Sequence, residues 1–501
     1  MQDQSTLQQS ATDPWALLAF CGYLLSVIIV GVYASRFASR GLAEFFLGGR
    51  KLKSFVVALS AVASGRSAWL LVGVTGMAYA RGVSTLWSVV GYTVAELILF
   101  LTVAVRLRQY SGEKGSITLP DYFETRFNDS SHLLRGVSAL IILIFMVIYV
   151  AAQLDGGGKT FSASFGITHF QGVLFTAFIV WLYTLLGGFL AVALTDVLQA
   201  IFMLVGLLVV PVIAILNFGG FSAVSQAVRL QDATMLDPFA LTVGALIGFL
   251  GIGLGSTGNP HIIVRYMSIH DPTKLRISAV WGTVWNVLMA TGALCIGLVG
   301  RAYFPEQSSL PNGDTENLFP YLAQLHLHPF FFGLVIAAVV AAIMSTADSQ
   351  LLVAASSVVR DLYQQLLLKG KEISQERLVL LSRFMITVLI IAAIALREIA
   401  SDLVFWLVLF AWGGLGASFG PALILSLYWK GTTRWGVLAG LLVGTTVTIV
   451  WNQTPALKAQ LYELIPAFFL SLFLIIIISK LTRSEQKPEE RDSTWPEDTK
   501  V

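Results

Sequence analysis

The chain has 501 residues, of which 56% are hydrophobic and 12% are charged, and its formal net charge is +3. Since soluble domains carry roughly 25% charged residues, this composition predicts an integral membrane protein rather than a soluble enzyme. The sequence contains no cluster of basic residues with interleaved aromatics, so nucleic-acid binding is not indicated. The two cysteines, Cys21 and Cys295, lie in apolar runs and indicate neither a disulfide nor a metal site.

Runs of roughly 20 apolar residues predict membrane-spanning helices. About thirteen such runs follow one another along the chain, at 16–36, 54–80, 84–107, 134–163, 170–190, 195–217, 238–260, 275–303, 330–360, 378–397, 402–428, 434–452 and 462–480. The longest outer connection, residues 304–329, is expected to contain a short helix. The charged segment 481–501 is predicted to be a disordered cytoplasmic tail.

The basic residues are distributed unevenly between the loops. With the N-terminus outside, 25 of the 32 Lys and Arg residues fall on the inner side and 6 on the outer side, and Arg66 lies inside a span. This asymmetry predicts a multi-pass protein of the inner (cytoplasmic) membrane with its N-terminus outside and its C-terminus in the cytoplasm.

The second span has a polar break in its middle, from Ser64 to Ala68. Placing Arg66 at that depth costs about 2.5–3.5 kcal/mol or more on insertion scales, and Gly65 and Ser67 weaken the helix around it. Unwound backbone at membrane depth is tolerated where it lines a polar site within a helix bundle. The break therefore predicts a central binding site.

A second break falls in the seventh span, from Gly248 to Pro260, where five glycines precede the proline. Two breaks five spans apart predict an inverted repeat, with solute and ion bound between its halves near the bilayer midplane. The alternative is that these glycines only allow close helix packing.

Several stretches together resemble the sodium:solute symporter family, and most closely its sodium/proline branch, from about residue 45 to about residue 480. The stretches that carry the resemblance are FFLGGRKL (45–52), ALSAVAS (58–64), WLLVG (69–73), LPDYFETRF (119–127), GGFLAVALTDVLQA (187–200), GNPHIIVRYM (258–267), AAIMSTADSQLL (341–352) and AWGGLGASFGPALI (411–424).

The resemblance implies an all-α membrane protein with a five-plus-five inverted-repeat core of the leucine-transporter type. One helix precedes this core and two follow it, all within a single transport domain. The expected division of the chain is a leading helix and loop at 16–53, repeats at 54–217 and 238–428, trailing helices at 429–480 and the tail at 481–501.

The resemblance also implies a sodium site between the second and ninth spans. Its expected ligands are the backbone carbonyls of Ala63, Arg66 and Ala342 and the hydroxyls of Ser345 and Thr346. Sodium is a hard cation, and uncharged oxygens of this kind suit it. The alternative for the two hydroxyls is a hydrogen bond back to their own helix.

Other positions match the family less specifically. Asp196 corresponds to an acidic residue that some members use near a second cation site, and its alternative role is that of a helix N-cap. Together with Asp348 and Asp155, it is a candidate for a second cation or charge-pair site. Trp69 and Tyr149 match aromatic positions of the substrate pocket, although each could be an ordinary aromatic of the membrane core. We place Ser67, which lies within the break, in the same pocket.

The chain departs from the sodium/proline branch at Gly65, where that branch has an acidic residue, and Arg66 follows directly. Because a guanidinium stays charged, we expect Arg66 to pair with a buried acid. The expected partner is Asp348, or else Asp155, with Glu96 as a further candidate. Alternatively, Arg66 replaces the coupling ion, binds a substrate carboxylate, or points into an outer vestibule.

The second departure lies in the seventh span, where Ile252 and Ser256 replace large aromatics and Asn259 replaces a longer amide. Gln153, one turn after Tyr149, stands where a small residue is expected. The pocket is therefore expected to be less aromatic and more polar than in the sodium/proline branch, and its substrate need not be proline.

The function expected from these observations is cation-coupled symport, with sodium as the expected ion, of a small amino acid such as proline or a related solute. The chain is expected to be neither an enzyme nor a user of an organic cofactor. The open alternatives are a sodium-independent or proton-coupled carrier in which Arg66 replaces the ion, and a membrane sensor that binds the solute without moving it. The sequence does not indicate an oligomeric state.

Overall fold

The computed structural model describes residues 13–38, 41–369, 371, 373–397 and 403–483. The predicted tail falls outside these residues from position 484 onward. Every regular element described is helical, and one isolated parallel bridge joins Leu52 to Ile269. The helices are α1 (Pro14–Ala38), α2 (Leu42–Leu47), α3 (Ser54–Ala68), α4 (Thr75–Arg81), α5 (Leu86–Leu101), α6 (Val103–Glu113), α7 (Leu119–Phe127), α8 (Leu133–Phe165), α9 (His169–Phe218), α10 (Phe221–Gln231), α11 (Val243–Gly251), α12 (Pro260–Met267), α13 (Leu275–Tyr303), α14 (Leu318–His326), α15 (Pro329–Ser356), α16 (Gln375–Arg397), α17 (Val404–Tyr428), α18 (Arg434–Asn452), α19 (Pro455–Lys458) and α20 (Leu464–Thr482).

Within the described ranges, ten helical stretches are long and apolar enough to cross a membrane. One of them, Ser54–Leu101, contains two of the predicted spans, and His169–Leu185 and Val243–Thr257 are shorter apolar helices. The integral-membrane prediction is confirmed, whereas the number thirteen and the repeat boundaries stay predictions. The short helix expected in the longest outer connection is present as α14.

Both predicted breaks are present. In the second span Ser67 has φ 47° and ψ −169°, and the chain continues through a π-helical turn, Trp69–Val74. In the seventh span α11 passes into a 3₁₀ turn, Ile252–Thr257, before α12 begins at Pro260. A third break separates the two halves of α9 at Gly188, which has φ 58°. Glycine tolerates that left-handed conformation without a steric penalty.

Helix α15 lies at the centre of the bundle and packs against α1, α3, α8 and α9. It is buried on all sides from Val335 to Leu352, as expected for a helix without a polar face. Alanines at positions such as 338, 341 and 342 allow the neighbouring backbones to approach closely. This packing places the ninth predicted span beside the break in α3.

Contacts between loops divide the bundle into two ends. Arg50 donates to the carbonyls of Ser111 and Ser116, and Arg108 donates to Ile269. These loops, which charge counting places inside, therefore meet at one end, which we call the basic end. At the opposite end Lys159 forms an ion pair with Glu316 at 2.6 Å. The grouping of the loops agrees with the predicted topology.

Glu316 ties the connection between α13 and α15 to the start of α17. Its carboxylate accepts from the backbone N–H groups of Val404 and Phe405 at 3.1 and 2.9 Å, in addition to its ion pair with Lys159. A carboxylate at a helix N-terminus stabilises the unsatisfied N–H groups and the helix dipole.

We expect Glu316→Ala to lower the free energy of unfolding by about 2 kcal/mol, since a capping carboxylate in a partly buried setting contributes about that much. Thermal unfolding in detergent, followed by tryptophan fluorescence, measures the change. Glu306→Ala is the matched control, because Glu306 is an exposed acid of the same connection. Equal unfolding temperatures for the two variants would contradict the capping role.

Candidate functional site

A cluster of uncharged oxygens joins α3 to α15. The Ser345 hydroxyl lies 3.1 Å from the carbonyl oxygens of both Ala63 and Ala342. The Thr346 hydroxyl lies 2.9 Å from the carbonyl of Ser64 and 3.2 Å from that of Ala342. All of these residues are buried. Carbonyl and hydroxyl oxygens without permanent charge are a ligand set suited to a hard monovalent cation.

Four of the five expected ligand positions are therefore in contact with one another. The carbonyl of Arg66 instead accepts a hydrogen bond from the backbone N–H of Trp69. The carbonyl of Ser64, which sequence reasoning did not include, lies in the cluster. Both hydroxyls also bond back to their own helix at Ala342. Each hydroxyl thus contacts α3, as expected for a cation ligand, and also makes the hydrogen bond within its own helix that was the alternative.

Arg66 pairs with Glu96 of α5. Its Nη2 donates to Glu96 Oε2, and its Nε donates to Asn286 Oδ1 at 2.8 Å. The Asn286 amide also donates to Glu96, and the guanidinium carbon lies 3.7 Å from the centre of the Tyr92 ring. The prediction that Arg66 has an acidic partner is confirmed. Asp348 and Asp155 were the wrong acids, because the rotation of α5 directs Glu96 toward α3.

The Arg66 and Glu96 side chains are each only 1% exposed. The alternative in which Arg66 points into an open vestibule is therefore wrong. A buried ion pair with additional hydrogen bonds carries no net charge. Glu96 therefore offsets the repulsion that the Arg66 guanidinium would exert on a cation bound at the oxygen cluster.

A second buried ion pair lies on the α15 side of the bundle. Arg265 donates to Asp196 Oδ2 at 2.8 Å, to the Ser60 hydroxyl at 2.7 Å and to the Ser349 hydroxyl at 2.6 Å. Asp348 accepts from the same Ser349 hydroxyl at 3.1 Å, and its Oδ2 has no hydrogen-bond partner.

This arrangement corrects two predictions. Asp196 lies within α9 and is fully buried, so it is not an N-cap facing the cytoplasm. Arg265 falls between the predicted spans 238–260 and 275–303 and would thus be an inner-loop cation, but it is a buried residue of α12. Its position in an otherwise apolar segment directly after the second break was the signal that could have revealed it.

Asp155 does not join Asp196 and Asp348. It accepts from Arg397 Nε at 2.9 Å and lies 3.2 Å from His169 Nε2. These contacts place it at the end opposite the basic end, near Lys159, which belongs to the same helix. The predicted grouping of the three aspartates is therefore wrong for Asp155, because α8 runs the length of the bundle and carries it away from the other two.

A small cavity lies against the break in α3. Its volume is about 10 Å³, enough for about one water. Its lining residues are Gly65, Arg66, Trp69, Tyr92, Tyr149, Ile252, Val408, Leu409 and Trp412. Trp69, Tyr149 and Ile252 were predicted for the substrate pocket, whereas Tyr92 and Trp412 were not, since nothing distinguishes them from other membrane aromatics in the sequence.

The other predicted pocket residues are absent from the lining, and three of them make hydrogen bonds at the breaks. Gln153 Oε1 accepts from the backbone N–H of Ala68 at 3.1 Å, and the Ser67 hydroxyl accepts from that of Trp69 at 3.0 Å. Asn259 donates to the carbonyl of Gly255 at 2.7 Å. The Ser256 hydroxyl is buried without a partner. Side chains thus replace the backbone hydrogen bonds that the unwound segments lack.

A wider cavity lies beyond the small one, toward the end opposite the basic end. Its volume is about 630 Å³, and we call it the vestibule. Its lining includes Arg81, Phe249, Lys458 and Tyr462, and it shares Ile252 and Leu409 with the small cavity. Ile252 and Leu409 therefore lie between the open vestibule and the nearly closed small cavity.

Residues 45–444 match the sequence profile of the sodium:solute symporter family. The chain belongs to the sodium:solute symporter family. This symporter is accordingly a multi-pass membrane transporter that couples solute movement to a cation, and not an enzyme.

Two curated relatives are similar to this symporter over nearly its whole length. The osmoregulated proline transporter OpuE of Bacillus subtilis (strain 168) is 38% identical over 472 residues, which cover 94% of this chain and 95% of the relative. The sodium/proline symporter of Staphylococcus aureus (strain JH9) is 37% identical over 496 residues, which cover 96% and 95%.

Solved structures show the same fold. A Na⁺-coupled sialic acid symporter, in a substrate-bound outward-open state, aligns with a TM-score of 0.79 at 19% identity and covers 95% of this chain and 98% of its own. MhsT in complex with L-phenylalanine aligns with a TM-score of 0.54 at 14% identity, covering 86% and 99%. The symporter therefore has the leucine-transporter type of fold that the resemblance implied.

Proposed function

We propose that this symporter takes up proline or a closely related small amino acid and that sodium is its coupling ion. The observation that carries the proposal is the cluster of uncharged oxygens between α3 and α15, which adjoins the helix break lining the small cavity. The names of the two full-length relatives support proline as the first solute to test.

The ion binds, on this proposal, to the carbonyls of Ala63 and Ala342 and the hydroxyls of Ser345 and Thr346, with the Ser64 carbonyl as a further neighbour. These groups come from a broken helix and from the helix packed against it. Binding of the ion therefore favours the arrangement in which the two helices are close, and a solute that favours the same arrangement binds with positive coupling.

The solute binds next to this cluster, between the break in α3 and the aromatic residues Trp69, Tyr149 and Trp412. The small cavity holds about one water at its present volume, so an amino acid enters only when the lining side chains or helices move. The vestibule, which shares Ile252 and Leu409 with the cavity, is the proposed route of access. Alternating access provides such motion by moving one part of the bundle relative to the other.

We also propose that the basic end faces the cytoplasm and that the vestibule faces the outside. The excess of Lys and Arg in the loops of the basic end supports this orientation. The ion pairs of Arg135 with Asp121, at 2.5 Å, and with Asp361, at 2.6 Å, hold the basic end closed. The arrangement described here then corresponds to access from the outside.

Uptake by purified protein in proteoliposomes tests the function. Labelled proline and a panel of other amino acids and osmolytes are offered with an inward sodium gradient, an inward proton gradient, or neither. Accumulation of proline that requires the sodium gradient supports the proposal. Accumulation driven by protons alone supports a carrier in which Arg66 replaces the ion, and binding without counterflow supports a sensor.

We expect the double variant Ser345→Ala, Thr346→Val to raise the sodium concentration for half-maximal uptake by at least about tenfold, because two oxygen ligands are lost. Sodium titration of initial uptake rates measures this. Ser382→Ala with Thr448→Val is the matched control, since both hydroxyls are buried and bond to their own helices. An unchanged sodium dependence in the first variant would place the ion elsewhere.

A further inference from the structure

The ion pair beside the small cavity has unused hydrogen-bonding capacity. A guanidinium has five N–H donors, and Arg66 makes three hydrogen bonds, one of them a long contact of 3.4 Å to the carbonyl of Gly65. Glu96 Oε2 accepts from Arg66 and Asn286, whereas Glu96 Oε1 is buried without any partner. A buried carboxylate oxygen without a donor is costly unless something else satisfies it.

Gly65 brings this free oxygen within reach of the cavity. Gly65 lines the cavity, and a Cβ atom built on it would lie 3.7 Å from Glu96 Oε1. Because residue 65 has no side chain, a group bound in the cavity can approach that oxygen. Arg66 lines the same cavity, so a donor and an acceptor of opposite charge are available to one small ligand.

Two of the four aromatic residues that line the cavity already have partners on their rings. The face of Tyr92 is in contact with the Arg66 guanidinium at 3.7 Å. Trp69 stacks on Phe405 with the ring centres 5.6 Å apart, and it packs against Tyr92 at an interplanar angle of 71°. Quaternary ammonium ligands need open aromatic faces around the cation, so hydrogen bonding to Glu96 is the better-supported way to recognise a positive charge here.

We propose that Arg66 and Glu96 together recognise the two charges of a zwitterionic amino or imino acid, Arg66 donating to its carboxylate and Glu96 Oε1 accepting from its N–H. This inference rests on the proposed function and narrows it to solutes that keep a free N–H on the charged nitrogen. A site built to hydrogen-bond such a group rejects analogues without it, since its own polar atoms are then left unpaired.

Competition with labelled proline in wild-type proteoliposomes under a sodium gradient is the first test. The competitors are unlabelled proline, N,N-dimethylproline, which has no N–H, and tetrahydro-2-furoic acid, in which an ether oxygen replaces the nitrogen. We expect each analogue to compete at least about tenfold more weakly than proline, because a charge-assisted hydrogen bond is lost. Equal competition by either analogue would overturn the inference while leaving proline transport intact.

Gly65→Ala is the decisive variant, because it leaves both charges in place. Its Cβ has ordinary contact with Glu96 Oε1 and a tighter one, 3.3 Å, with Ile262 Cδ1, and alanine favours a helix over glycine. We expect this variant to bind proline about tenfold more weakly than the wild type does. Inhibition by tetrahydro-2-furoic acid should be unchanged. Gly282→Ala is the control, since that buried glycine also has room for a Cβ, at 3.5 Å or more from its neighbours.

The outcomes separate the two proposals. If Gly65→Ala folds and binds proline as the wild type does, the pairing of Glu96 with the substrate nitrogen is wrong. If Glu96→Gln folds and changes only the sodium dependence, Glu96 serves the cation rather than the solute, which also overturns the inference. If the wild type shows no sodium-driven uptake of proline or any other amino acid in the panel, the proposed function itself fails.

Discussion

Arg66→Met is expected to lower the free energy of unfolding by about 3–5 kcal/mol, because it leaves the Glu96 carboxylate buried without a counter-charge. The loss also removes a donor from Asn286 and the cation that lies on the Tyr92 ring. Unfolding in detergent and the fraction of monodisperse protein after purification measure the effect. Arg229→Met is the control, since Arg229 is an exposed arginine.

The double variant Arg66→Met, Glu96→Gln makes this prediction specific. Removing one member of a buried ion pair is costly because the other charge is left uncompensated, and the double variant leaves no such charge. We expect the double variant to fold far better than Arg66→Met and still to transport proline poorly, since the charges that we propose for solute recognition are absent. A double variant as unstable as the single one would show that Arg66 matters through packing rather than charge.

Arg265→Met is expected to have a comparable effect on folding, about 3–5 kcal/mol, because Asp196 then lies fully buried without a cation. Three side-chain partners depend on this guanidinium, namely Asp196, Ser60 and Ser349. The variant leaves two acidic residues, Asp196 and Asp348, in the same buried region. Thermal unfolding and the yield of folded protein are the measurements.

Two further variants test the origin of that effect. Arg265→Lys keeps the charge but loses the several hydrogen bonds of the planar guanidinium. We therefore expect its thermal stability to lie between those of the wild type and Arg265→Met. Arg276→Met changes an exposed arginine in the next helix, and we expect wild-type stability. If Arg265→Met unfolds at the wild-type temperature, the pair with Asp196 does not stabilise the fold.

The fold could be anticipated because its main features are local properties of the chain. Apolar runs, the polar break at Ser67 and the glycine-rich break at Ile252–Thr257 all depend on residues close together in sequence. The same holds for Ser345 and Thr346, whose hydroxyls come one turn after the carbonyl of Ala342. The pairing of α3 with α15 could be predicted only from the motif resemblance, because local sequence patterns do not show which helices pack together.

The partners of the buried charges could not be anticipated in this way. Arg66 had three acidic candidates in the spans, and the choice of Glu96 depends on how α5 and α13 are rotated toward α3. Arg265 was assigned to a loop, because span boundaries read from hydropathy are uncertain by several residues. The cavity lining could not be anticipated for the same reason. Tyr92 and Trp412 reach the break only through the packing of helices that are distant in sequence.

The sequence by itself determined that this protein is a membrane transporter of the sodium:solute symporter family, where two of its helices break and that Ser345 and Thr346 offer adjacent hydroxyls near the middle of a span. These properties follow from hydropathy, helix propensity and motif identity, which are carried by neighbouring residues. Only the tertiary structure decided that Glu96 neutralises Arg66, that Arg265 neutralises Asp196 and that Gly65 opens the cavity toward a free carboxylate oxygen. Each of these depends on the rotation and closeness of packed helices, because a charge in a membrane core is stabilised by whichever partner the packing brings within hydrogen-bonding distance.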